Sequence, residues 1–127
     1  MLTNMEKILY KELSYKIIGL AMQVHRELGS GFLEKVYENS LMVLFRRDKI
    51  PAAQQVSINV HFEGEIVGNY IADILVEDKI ILELKCIEAI ANIHRAQALN
   101  YLKATGKQLA IILNFAQKKL EYERLIR

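Results

Sequence analysis

Near Pro51 the hydrophobic pattern of this chain changes period, from spacings of three and four to alternation, which calls for helices first and a sheet after them. From Asn4 to Leu28 the residues Leu9, Leu13, Ile17, Leu20, Ala21, Val24 and Leu28 form the stripe of an amphipathic helix, which Gly29-Ser30-Gly31 stops. The spacing predicts a second helix from about Phe32 to Arg47, with Leu33, Val36, Tyr37, Ser40, Leu41 and Leu44 on its inner face and Pro51 marking the exit. Val56, Ile58, Val60 and Phe62 then alternate with Gln55, Ser57, Asn59 and His61, as in a half-buried strand.

Glu63-Gly64-Glu65 turns that strand into Tyr70-Ile71-Ala72-Asp73-Ile74-Leu75-Val76, and Glu77-Asp78-Lys79 turns this one into Ile80-Ile81-Leu82-Glu83-Leu84-Lys85-Cys86. Three successive antiparallel strands are expected. Helical spacing returns from about Asn92 to Ala104 and closes at Thr105-Gly106, before Leu109–Leu113 supplies the continuous apolar run of a strand buried on both faces. The order is α-α-β-β-β-α-β, an α/β domain. Leu120, Tyr122, Arg124 and Ile126 alternate once more and supply either an edge strand or a frayed tail.

At 127 residues, 52% of them hydrophobic and one of them proline, the chain fits a single domain over residues 1–127 that buries roughly two-thirds of its unfolded surface. A net charge of +2 leaves the partner open, since a near-neutral total can hide a basic groove beside an acidic site. A single cysteine, Cys86 in an apolar run, argues against a disulfide scaffold or a cysteine-based zinc site and reads as a small core residue. The N-terminal residues lack a signal-peptide core, and no apolar run approaches the roughly 20 residues that span a bilayer, so a cytoplasmic protein is expected.

Against that background Asp73, Glu83 and Lys85 are out of place. Strand side chains alternate faces, so Glu83 and Lys85 project together while Leu82 and Leu84 point the other way. Burying an unpaired charge costs several kcal/mol, so charges set in core strands need a partner, a metal or a water-filled cleft. The hairpin is therefore a candidate site, and a solvated same-face ion pair of Glu83 with Lys85 is the plain alternative.

Gly31-Phe32-Leu33-Glu34-Lys35-Val36-Tyr37-Glu38-Asn39 resembles the signature of the small GxxExxY proteins, and Asp73 with Glu83-Leu84-Lys85 resembles the core of the PD-(D/E)XK nuclease superfamily. Gln97-Ala98-Leu99-Asn100-Tyr101 is similar to the Gln-x-x-x-Tyr helix motif of the superfamily's exonuclease branch. The resemblance covers nearly the whole chain and implies a restriction-endonuclease-like fold with a mixed central sheet flanked by helices. Ala72 stands where the superfamily's name has proline, and the metal-ligand histidine of some relatives has no assigned equivalent.

The resemblance implies that Asp73 and Glu83 ligate Mg²⁺ or Mn²⁺, that Lys85 assists a metal-dependent hydrolysis of phosphodiester bonds, most naturally in DNA, and that Glu34 adds a ligand or supports one. Hard oxygen ligands suit such ions. Gln97 and Tyr101, one helical turn apart, then face the cleft and hold phosphate, Glu83 or Lys85. The alternatives are Glu34 serving the helix dipole, Tyr37 in the core, and Gln97 and Tyr101 as packing residues with solvated tips. His94 is read as a phosphate contact or an exposed helix histidine. Arg46, Arg47, Lys49, Lys103, Lys107, Lys118 and Lys119 line a backbone-binding face or are merely solvated. A different class of reading keeps the scaffold, as a monomer or homodimer, but makes it a catalytically idle module that binds nucleic acid or protein.

Overall fold

The computed structural model describes residues 9–127. Two helices, α1 (Lys11–Leu28) and α2 (Glu34–Arg47), precede three antiparallel strands, β1 (Ala52–Phe62), β2 (Glu65–Val76) and β3 (Ile80–Lys85). Helix α3 (Asn92–Thr105) then crosses over to β4 (Leu109–Asn114), which runs parallel to β3, and β5 (Glu121–Ile126) closes the sheet antiparallel to β4. The sheet order is β1-β2-β3-β4-β5. A parallel neighbour needs a crossover connection, and α3 supplies it. The mixed sheet flanked by helices is the restriction-endonuclease-like α/β architecture.

Ile17, Leu20, Ala21 and Val24 of α1 pack with Tyr37, Leu41 and Phe45 of α2 against one sheet face, which offers Ile74, Val76, Ile80, Leu82, Leu84, Ile111 and Leu113. Ala98 and Leu102 of α3 pack on the other face against Tyr70, Ala72, Leu75, Ile81, Ala110 and Ile112. Both faces of β3 and β4 are thus covered, and Leu109–Leu113 is buried throughout, as its unbroken apolar run predicts. Each fully buried Leu or Ile here contributes about 2 kcal/mol relative to exposure.

Several expectations are corrected. The helix expected from Asn4 begins at Lys11, and residues 4–8 lie outside the described part of the chain. The second begins at Glu34, not Phe32, because Leu33 is extended. Its buried face carries Tyr37, Glu38, Leu41, Met42 and Phe45, while Leu33 and Val36 are exposed and Ser40 and Leu44 are half-buried. The large apolar side chains Tyr37, Leu41, Met42 and Phe45 set this face, and Glu38 is accommodated on it because it finds polar partners inward. Strand β1 starts at Ala52, ahead of the alternation. The C-terminal piece is an edge strand, adding an eighth element: Arg124 Nε donates to Ser14 Oγ at 2.9 Å and Arg95 meets Glu123 at 2.5 Å, tying β5 to helices on both faces. Among the described residues no helix is long and apolar enough to cross a membrane.

Candidate active site

The pairing of β2 with β3 stops early. Val76, Leu75 and Ile74 are opposite Ile80, Ile81 and Leu82, and the ladder goes no further. Beyond it Leu84 N donates to Asp73 Oδ2 at 2.7 Å, while β3 stays paired with β4 out to Lys85 and Asn114. The sheet therefore forks, with the Asp73 carboxylate standing in the fork.

Strand β1 makes this possible. Gln54 and Val56 pair with Ile74 and Ala72, but the intervening Gln55 has φ 51° and drops out of the register opposite Asp73. The same point is where the strands change sides: Ile74 and Val76 pack under α1 and α2, whereas Tyr70 and Ala72 pack under α3. Simple alternation would put Ala72 with Ile74. A non-glycine residue in the left-handed region costs roughly 1–3 kcal/mol and needs surroundings that hold it. Glu38 does so: its Oε1 accepts from Gln55 Nε2 at 2.9 Å, and its Oε2 accepts from Gln54 Nε2 at 2.6 Å and Lys35 Nζ at 3.1 Å. Both oxygens of this buried carboxylate are thereby occupied, which makes Glu38 a brace for the bulge.

Glu83 and Lys85 lie on the α3 side of β3, opposite Leu82 and Leu84, as the alternation predicts. Glu83 is 8% exposed, and its Oε1 accepts from the Tyr70 hydroxyl. The Tyr70 ring in turn stacks on Tyr101 of α3, centroids 3.7 Å apart. Burial pushes the Glu83 carboxyl up to about 7; Lys85 works against this and the Glu34 charge adds to it. Burial likewise raises Asp73; the Leu84 amide opposes it, Glu38 and Glu34 add to it, and Lys85 opposes it. The Tyr101 phenol is raised first by burial and then by the charges of Glu83 and Asp73, so it stands within electrostatic reach of both carboxylates.

Glu34 Oε2 accepts from Cys86 N at 3.2 Å, linking the start of α2 to the end of β3. Phe32, Glu34, Glu38, Gln55, Asp73 and Cys86 line an open cleft of about 550 Å³. A larger concavity of about 690 Å³ lies beside Pro51, Leu75 and Asp78, but its acids Glu77 and Asp78 are engaged by Lys79 and Lys107. Lys85 is half-buried and its side chain joins no hydrogen bond or ion pair among the described residues, and the side chain of half-buried Gln97 joins no hydrogen bond among them either. Cys86 is half-buried at the cleft, not in the core proper. Tyr37 is a core residue whose hydroxyl donates to Gly29 O at 2.6 Å. His94 caps α3, its Nδ1 accepting from Ala91 N at 2.9 Å. Arg47 and Lys107 are held by Asp48 and Asp78, outside the cleft.

Sequence reasoning missed Tyr70, Gln55 and the bracing role of Glu38. Only Glu38 left a signal, a carboxylate one turn after Glu34 and next to the core residue Tyr37.

Among the described residues no three His, Cys, Asp or Glu side chains form a ready ligand cluster. A magnesium-like ion needs less, being held by one or two carboxylates with several waters. Asp73 Oδ1 and Glu83 Oε2 take no hydrogen bond within the described residues. Since every fully buried side-chain oxygen there has a partner, these two keep some accessible surface. Each of the two carboxylates thus keeps an oxygen without a partner among the described residues, and hard carboxylate oxygens are the donor type that suits a divalent cation.

The sequence matches the family model of the PD-(D/E)XK nuclease superfamily over residues 11–125, and the chain belongs to that superfamily. Its members are nucleases that generally use divalent metal ions. Among solved structures, that of SSO0001 is similar with a TM-score of 0.57 at 14% identity, covering 73% of this chain and 49% of that one. The chain thus spans about half of that structure's length. An alkaline exonuclease from Laribacter hongkongensis is matched at 12% identity and a TM-score of 0.46, over 85% of this chain and 67% of the other. No curated protein matches the sequence.

Proposed function

We propose that the chain is a cytoplasmic, metal-dependent nuclease that hydrolyses phosphodiester bonds in DNA, acting as one domain. The observation that carries this reading is the fork, where the ladder opens past Ile74–Leu82 and the Asp73 carboxylate fills the gap on the Leu84 amide, between Glu83 and Lys85 in the chain. Asp73 and Glu83 would hold Mg²⁺ or Mn²⁺ through their accessible oxygens, with Glu34 at the rim as a third ligand or a support. When bound, such an ion supplies Lewis acidity, making water a stronger nucleophile and neutralising charge on phosphate oxygens.

The chain's own residues do the rest. Lys85, free of ion pairs among the described residues, offers an ammonium to the phosphate or to the attacking water. Tyr70 keeps Glu83 in place, and Tyr101, stacked on Tyr70, holds that ring from the α3 side. Gln97 lies one turn before Tyr101, within the span where an amide can steady phosphate or Glu83. The free thiol of Cys86 suits a reducing compartment.

The test is cleavage of labelled single- and double-stranded DNA and RNA with Mg²⁺ or Mn²⁺, alongside calorimetric Mn²⁺ titration of wild type and Asp73→Ala. The reading expects metal-dependent cleavage and Mn²⁺ binding that Asp73→Ala abolishes. Absence of cleavage across the whole panel would overturn it in favour of an idle binding module.

A further inference from the structure

A second basin opens on the far side of the loop joining α1 to α2. It has a volume of about 650 Å³, and Arg26, Gly29, Ser30, Lys118 and Lys119 line it with buried His25. No carboxylate lines it. Arg26, Lys118 and Lys119 are exposed, and among the described residues none of them joins an ion pair. Three unpaired like charges around one concavity repel one another and set up a positive potential that attracts an anion.

The lysines are held in position. They sit in the β4–β5 turn just after Gln117, whose carbonyl accepts from His25 Nε2 at 2.7 Å and whose side-chain amide donates to Glu88 O. The turn is thus tied to α1 on one side and to the segment after β3 on the other.

One loop separates this basin from the carboxylate cleft. Gly29 and Ser30 line the basin, and Phe32 and Leu33, two residues on, line the cleft. A single side chain braces that loop at both ends: the Tyr37 hydroxyl donates to Gly29 O and accepts from Phe32 N at 3.2 Å. At its crest the Phe32 ring is 46% exposed and edge-on to Tyr37, and Leu33 is 80% exposed. A fixed, exposed aromatic between a phosphodiester site and a cationic basin is the arrangement by which proteins hold unpaired nucleotides, with phosphates on the cations and a base on the ring.

We propose that a single polynucleotide strand crosses this loop, its phosphates beyond the scissile one lying against Arg26, Lys118 and Lys119 and one of its bases stacking on Phe32. The proposal rests on the nuclease reading and narrows its substrate to unpaired strands or frayed ends. A base within a duplex is already stacked and has no free face for Phe32.

The test is fluorescence anisotropy of the full chain with a fluorescein-labelled single-stranded oligodeoxynucleotide and with its duplex, Ca²⁺ replacing Mg²⁺, over a range of salt. The wild type should bind the single strand more tightly. Lys118→Gln with Lys119→Gln should flatten the plot of log affinity against log salt by about 1.4, roughly 0.7 for each phosphate that is no longer neutralised. Phe32→Ala should weaken single-strand binding roughly ten-fold with the slope unchanged, and Phe32→Tyr should restore it. All three positions are exposed, and thermal melts will verify folding. Wild-type cleavage combined with an unaltered slope and a neutral Phe32→Ala would overturn this inference while the nuclease reading stood. Weakened binding as described, in a wild type that cleaves nothing, would overturn the nuclease reading and leave the basin as a polynucleotide site.

Discussion

Asp73 Oδ2 accepts the Leu84 amide hydrogen at 2.7 Å, so the carboxylate takes the place that a carbonyl of β2 would hold in an unbroken ladder. One residue thereby ends the pairing, satisfies the exposed edge of β3 and carries a charge into the opening. These roles separate in mutants. Asp73→Asn keeps an acceptor for Leu84 but removes a carboxylate whose ionisation is opposed by burial and by Glu38 and Glu34. Its metal-free melting temperature should exceed that of the wild type. Asp73→Ala also loses the acceptor and should be less stable than Asp73→Asn by roughly 1–2 kcal/mol. Thermal melts without divalent ions check both, and an Asp73→Asn less stable than wild type would make Asp73 a structural residue.

Mn²⁺ should stabilise the wild type and leave Asp73→Asn unmoved. A ligand confined to the native state contributes about 2.7 kcal/mol at one hundred times Kd, which shifts the melt of a domain this size by several degrees. A wild type indifferent to Mn²⁺ would contradict the metal site.

The fold was legible where burial enforces a period. Leu109–Leu113 reads as a doubly covered strand because its apolar run is unbroken, and Ile80–Lys85 places Glu83 and Lys85 together because strand side chains alternate faces. Asp73, Glu83 and Lys85 could be picked out because charge in a core strand is costly, whereas Gln97 and Tyr101, uncharged residues of a helix, stand out only through the resemblance to the superfamily's helix motif. Gln55 could not be picked out. Its left-handed φ follows from a carboxylate on a helix seventeen residues earlier, and no local pattern reports such a partner. Glu38 departs from the rule that carboxylates face water, so apolar spacing alone runs the inner face of α2 through Leu33 and Val36, which are exposed. Tyr70 reads as an ordinary strand tyrosine until Glu83 and Tyr101 are seen beside it.

The metal-free protein should lose stability as pH rises. Folded Glu83 holds its proton to about pH 7, whereas its ordinary value is 4.5, so between those pH values the native state binds more protons than the unfolded chain. The stability tied to this proton is fully present below about 4.5 and is gone once the pH has passed about 7. At 1.36 kcal/mol per unit the loss is about 3 kcal/mol, and Asp73, also raised, adds in the same direction. Denaturant melts from pH 4.5 to 8 measure it. Glu83→Gln should flatten the slope, and a slope of opposite sign would contradict the environment assigned to Glu83.

Tyr70→Phe isolates the hydroxyl, because the ring can still stack on Tyr101. A hydrogen bond donated to a carboxylate favours its charged form, so its loss should raise Glu83 further. On the proposed reading the acid limb of the pH–rate profile moves to higher pH. An unmoved limb would show that Glu83 is not the group whose ionisation that limb reports.

Lys85 separates binding from chemistry. Its charge favours the ionised forms of Asp73 and Glu83, but it makes no ion pair with either among the described residues, so its removal leaves both carboxylates in place. Lys85→Ala should therefore keep Mn²⁺ affinity within a few-fold. If the ammonium stabilises charge that develops on phosphate, hydrolysis should fall roughly 10²–10³-fold, the loss typical of removing one preorganised donor. Lys85→Arg should recover only part, since a planar guanidinium cannot occupy the position of a compact ammonium. Calorimetry with Mn²⁺ and cleavage of a labelled oligonucleotide, run on the same preparations with Asp73→Ala as the metal-deficient control, distinguish the roles. Equal loss of Mn²⁺ in Lys85→Ala and Asp73→Ala would make Lys85 part of the scaffold that holds the carboxylates, and the chemical step would then need another cation.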